Sequence, residues 1–108
     1  MPYNPAMEVY TYPDITGSGS LQSAAVVLGI TSQPCKWYQV TIVSNASAQT
    51  MRLGNANISS TQGIPLGGSA GATSQFFPQI SEDLRNYDIK DLFLLIPNGD
   101  TVSVAYGV

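Results

Sequence analysis

Residues 92–106 read Leu92-Phe93-Leu94-Leu95-Ile96-Pro97-Asn98-Gly99-Asp100-Thr101-Val102-Ser103-Val104-Ala105-Tyr106, two strand-like runs around a turn. The first run is apolar and of strand length. Pro97 presets φ, and Asn98-Gly99 accepts the positive φ that tight hairpins need. The second run alternates, with Val102, Val104 and Tyr106 on one face and Thr101, Ser103 and Ala105 on the other. The spacing predicts a β-hairpin. Because residues 92–96 are apolar on both faces, that strand is either central in its sheet or covered on its outer face by a neighbour.

Working back from this hairpin, residues 35–44 form the clearest interior strand, with Tyr38, Val40 and Ile42 on an apolar face and Trp37, Gln39 and Thr41 opposite. Residues 45–48 are a turn, and the next strand, 49–53, places Met51 and Leu53 inward and Arg52 outward. Residues 54–61 are loop-like, 63–66 are a short extended piece, 67–71 a glycine-rich turn, and 73–78 a strand carrying Phe76 and Phe77. Residues 81–91 are a loop or one short helical turn capped by Ser81 or Asp83. For residues 21–30 a helix competes with a strand, and the β-branched content and the following Thr31-Ser32-Gln33-Pro34 favour the strand. Residues 1–20, with Pro2, Pro5, Pro13, Gly17 and Gly19, read as an extended arm, with an edge strand over residues 7–12. Seven or eight short strands joined by Gly, Pro, Asn and Ser turns predict an all-β, single-domain antiparallel β-sandwich of jelly-roll type. The arm covers residues 1–20 and the sandwich domain 21–108.

Composition narrows the function. At 108 residues the chain suits one domain that buries about two-thirds of its unfolded surface. Charged residues make up 10% of it, against roughly a quarter in ordinary soluble domains. Ser, Thr, Asn, Gln and Gly fill the difference, and such a surface loses its water at lower cost than an ionic one. That suits a subunit of a larger assembly. Four scattered cations, Lys36, Arg52, Arg85 and Lys90, with a net charge of −3, build no basic stripe, which argues against nucleic acid as a partner. No basic and apolar leader is visible at Met1-Pro2-Tyr3-Asn4-Pro5, and no stretch approaches the roughly 18 apolar residues of a membrane helix.

Catalytic chemistry is sparse. There is no histidine, so Ser-His-Asp and Cys-His mechanisms have no imidazole to use. A Ser-Lys pair with Lys36 or Lys90 has no spacing signature. One cysteine, Cys35, provides neither an intrachain disulfide nor the ligands of a structural zinc site. Gly67-Gly68-Ser69-Ala70-Gly71 lacks the Gly-Lys-Ser/Thr of a phosphate loop. The acids at 82–91 lack EF-hand spacing and are interleaved with Arg85 and Lys90. Asn45-Ala46-Ser47 and Asn57-Ile58-Ser59 match the glycosylation pattern by coincidence in a Ser/Asn-rich chain. The expectation is a protein that is not an enzyme and that holds neither cofactor nor metal.

Leu53-Gly54-Asn55, Gln62-Gly63-Ile64-Pro65-Leu66, residues 91–96 and Gly99-Asp100-Thr101-Val102-Ser103-Val104-Ala105-Tyr106 together resemble small β-sandwich virion proteins of tailed bacteriophages. The resemblance spans residues 35–108 and leaves out the arm at 1–20. It implies a jelly-roll-like subunit made in the bacterial cytoplasm and carried on the capsid surface. There it would be a cement or decoration protein that self-associates, preferably as a homotrimer, and binds the major capsid protein. The candidate adhesive residues are Tyr3, Tyr10 and Tyr12 on the arm, together with Trp37, which is either an interface residue or ordinary core. The arm is expected to carry attachment and to contribute little to folding. The rival reading is a carbohydrate- or receptor-binding module of a fibre or tail, with Trp37 and the tyrosines as stacking platforms.

Overall fold

The fold is taken from a computed structural model that describes residues 9–69, the backbone of 75–76, and 87–108. Among these residues it is nearly all β, a sandwich-like single domain in which every ladder is antiparallel. The strands are β1 (Val9–Thr11), β2 (Ile15–Thr16), β3 (Leu21–Ser23), β4 (Pro34–Cys35), β5 (Trp37–Ser44), β6 (Thr50–Gly54), β7 (Ile64–Gly67), β8 (Gln75–Phe76), β9 (Tyr87–Asp88), β10 (Phe93–Leu95) and β11 (Thr101–Gly107). One sheet runs β1-β11-β5-β8, with β2 also on β11, and the other runs β3-β10-β6-β7. A two-stranded ribbon joins β4 to β9.

The expected hairpin is not one. β10 pairs with β3 and β6, whereas β11 pairs with β1, β2 and β5, so the 97–100 turn carries the chain from one sheet to the other as an arch. The turn itself is closed as its residues predict, with the Asp100 N–H donating to the Pro97 carbonyl at 3.1 Å. The arch wins because Leu94 and Ile96 on one side and Val102 and Val104 on the other can then face each other across the core, where all four are fully buried. β10 is central in its sheet, with Phe93 and Leu95 half-buried on the outer face. Three further backbone groups of the arch are met by residues 17–19. Gly17 donates to the Asp100 carbonyl at 2.7 Å, Gly99 to Gly17 at 3.1 Å, and Gly19 to Ile96 at 2.9 Å. A Cβ at Gly17 would collide with the Pro97 and Ile96 carbonyl oxygens, which is why glycine stands there.

Residues 21–30 differ from the expected strand as well. Only Leu21–Ser23 is extended, and α1 (Ala24–Leu28) follows. The Ser23 side chain caps it by accepting from the Val26 N–H, and Gly29 ends it in the left-handed region at φ 74°. These local caps, with Ala24 and Ala25 small enough to be buried against the core, outweigh the β-branched content. A 3-10 turn at Ile89–Asp91 is capped by Asp88, whose carboxylate accepts from both the Lys90 and Gln33 N–H groups at 2.9 Å, while the expected caps Ser81 and Asp83 lie outside the described residues. Residues 81–86, and all of the expected 73–78 strand beyond Gln75–Phe76, lie outside the described residues.

Residues 9–16 are sewn along β11. β1 pairs from Val9 with Gly107 to Thr11 with Ala105, β2 pairs with Thr101 and Val102, and Ile15 is fully buried in the core. That core joins Val40, Ile42, Val102 and Val104 of the first sheet to Met51, Leu53, Leu66 and Leu94 of the second. The β5–β11 register shifts between Thr101 and Val102, which leaves Val43 as the extra residue of a bulge, 54% exposed.

Candidate interaction surface

The register of the first sheet lines up three tyrosines. Tyr10 stands opposite Tyr106, and Tyr106 opposite Tyr38, so β1, β11 and β5 present their rings on one face. This is the face that carries Val40, Ile42, Val102 and Val104 further along. Tyr12, two residues on from Tyr10, joins the same face, and its N–H donates to the Val104 carbonyl at 3.0 Å. The Tyr106 ring stacks on Tyr10 (centroids 5.3 Å apart, planes at 23°) and on Tyr12 (5.1 Å, 26°). Tyr38 meets Tyr87 of the β4–β9 ribbon edge-on at 5.6 Å and 89°. Each such pair adds about 1 kcal/mol beyond the area it buries. Tyr10, at the outer edge of the sheet, is 40% exposed, while the other four are half-buried.

Burial acts on two of these hydroxyls. It raises the Tyr12 hydroxyl well above the ordinary range, helped by its hydrogen bond to Tyr106, and it pushes Tyr38 up to about 12. Burial also raises the neighbouring Cys35 thiol to about 11, with the Asp88 carboxylate adding to the effect, so Cys35 is a protonated core residue at neutral pH. The result is a neutral, ring-lined patch with phenolic tips.

Of the four candidate residues, Tyr10 and Tyr12 are thus brought together. Trp37 is not with them. It lies on the opposite face of β5, is 6% exposed, and its indole covers Gly107, where a Cβ would run into Nε1. Tyr3 lies outside the described residues. Tyr38, Tyr87 and Tyr106 complete the patch. Alternation in the sequence put Tyr38 and Tyr106 on apolar faces, but their meeting with Tyr10 depends on register between strands distant in sequence.

The opposite end of the same sheet holds a buried polar clamp. Asp100, 2% exposed, accepts from the Asn45 Nδ2 at 2.8 Å, the Ser47 N–H at 3.2 Å and the Ser47 hydroxyl. Burial alone would raise its carboxyl, but the Ser47, Asn45 and Ala46 donors outweigh that and hold it below the usual carboxylate range. Asn45, also 2% exposed, donates in addition to the Gln49 carbonyl at 3.0 Å and accepts from the Gly68 N–H at 3.0 Å. One amide therefore ties together the ends of β5, β6, β7 and β11.

Among the described residues no three His, Cys, Asp or Glu side chains group as metal ligands, and no helix is long and apolar enough to cross a membrane. The chain matches no protein-family model, no curated protein and no solved structure.

Proposed function

We propose that the protein is a structural virion subunit of a tailed bacteriophage, a cement or decoration protein that seats on the outer surface of the major capsid protein lattice and stabilises the head. The observation that carries this reading is the tyrosine patch at the β1 edge. Tyr10 offers an exposed ring already held by the Tyr106 and Tyr12 stack, so docking immobilises little that is free. Tyrosine-rich, charge-poor surface is what protein interfaces favour at their centres. The low overall charge and the resemblance over residues 35–108 support the same reading. The action is mechanical: many copies, each spanning a joint between capsid subunits, turn modest contacts into firm attachment. The resemblance adds a homo-oligomer, preferably a trimer.

The test uses heads of the encoding phage purified without this protein. Added wild-type protein should decorate them at regular positions in electron micrographs, and Tyr10→Ala should lower the occupancy while its circular dichroism matches wild type. Failure of the wild-type protein to bind heads would remove the reading. Sedimentation as a monomer at micromolar concentration would remove its trimeric part.

A further inference from the structure

We propose that the cleft beside the Asn45–Asp100 clamp is a binding site for a neutral carbohydrate. The cleft opens on the outer face of the second sheet and measures about 360 Å³, at the small end of the range for small-molecule sites. Its floor is apolar, from Leu95 on the outer face of β10 and Pro97 of the arch turn. Its walls carry the side chains of Gln49, Thr50, Ser60 and Asn98.

Three features define the ligand. The first is that the lining contains hydroxyls and amides and no charged group, so nothing there offsets the desolvation of an ionised ligand. An anion is further disfavoured by the Asp100 carboxylate, which lies behind Ser47 and stays charged at neutral pH. The second is that the Gln49, Thr50, Ser60 and Asn98 side chains make no hydrogen bond among the described residues, which leaves both donors and acceptors available from three separate segments. A polyol needs donors and acceptors together, and its C–H face suits the Leu95 and Pro97 floor. The third is that the walls are held in place. Asn45 grips the Gln49 carbonyl, the Gln49 N–H donates to the Ser47 hydroxyl at 3.2 Å, and the arch bearing Asn98 is closed by its own turn and by Gly17 and Gly19. Rigid walls reduce the ordering cost of binding. They also give the clamp a task, since a fully hydrogen-bonded buried cluster rigidifies the segments it joins.

This site lies at the opposite end of the first sheet from the tyrosine patch and does not depend on the capsid reading. The experiment is an amide NMR titration of the full chain with mannose, N-acetylglucosamine, lactose and maltose, with glucuronate as the charged comparison. At least one neutral sugar should bind with millimolar affinity and shift the amides of Gln49, Thr50, Ser60 and Asn98. Asn98→Ala and Gln49→Ala should each weaken that binding about tenfold, as loss of one hydrogen bond implies, with the melting temperature kept. Tyr10→Ala should leave it unchanged. Absence of shifts at the cleft with every sugar, shifts confined to the tyrosine end, or tighter binding of glucuronate would each overturn the proposal.

Discussion

Asp100 shows how one residue's environment becomes a measurable property. Its carboxyl is lower in the fold than its ordinary value of 3.8, so it stabilises the protein above that value, and the contribution is lost as pH falls through the folded value. Urea denaturation should therefore show stability dropping below about pH 4, with Asp100→Asn flattening that part of the profile. At neutral pH Asp100→Ala leaves the buried Asn45 donor and the partly buried Ser47 donors without an acceptor, and should cost about 3 kcal/mol in the same assay. Gly107 makes the converse case, where the added atom does the damage. Alanine there meets the indole of Trp37, the chain's single tryptophan, and should cost about 1–3 kcal/mol by overpacking. Native tryptophan emission reports it directly and should move to longer wavelength in Gly107→Ala.

At the scale of elements, β1 is a strand of the sandwich that also carries Tyr10, the residue proposed for attachment. Its ladder on β11 and the Tyr10 and Tyr12 stacks on Tyr106 belong to the sandwich, so removing residues 1–12 should destabilise the protein by about 2–4 kcal/mol in chemical denaturation. This replaces the expectation of an arm with little part in folding. An unchanged midpoint would mean that β1 adds nothing to stability. The short helix α1 depends instead on its caps. Nothing lies within 4 Å of a Cβ built on Gly29, so Gly29→Ala should lose about 1 kcal/mol through the left-handed backbone alone, with no packing term.

For the molecule as a whole, the two ends of the first sheet behave as separate units. Asp100 and Tyr106 are six residues apart on one extended segment, roughly 20 Å, and share no partner. Asp100→Asn and Tyr106→Ala should therefore add to within about 0.5 kcal/mol in the double variant. Alkali should act on the tyrosine end alone. Tyr12 and Tyr38 hold their protons more tightly folded than unfolded, so their contribution is complete below about 10 and that of Tyr38 is lost as pH rises through about 12. The part of the phenolate absorbance that belongs to Tyr12 and Tyr38 should then rise together with unfolding, not ahead of it.

Much of this architecture was legible locally. Alternation in residues 37–44 and 101–106 assigned each side chain to a face, the inward Met51 and Leu53 followed from the same period, and Pro97-Asn98-Gly99-Asp100 is a turn on its own chemistry. The lack of histidine was decided by composition alone. The caps of α1, Ser23 and Gly29, were also written in the chain, but five residues of helix are too few to reveal a period. Three things needed the tertiary structure. Alternation fixes which face a residue occupies but not which strand lies beside it, so hairpin and arch share one local pattern, and the choice fell to burying Leu94 and Ile96 opposite Val102 and Val104. Tyr10, Tyr106 and Tyr38 form one row only because the registers of β1 and β5 on β11 coincide there. Asn45 and Asp100 read as surface turn residues, and became a buried clamp because turns distant in sequence converge at one end of the sandwich and supply each other's hydrogen bonds.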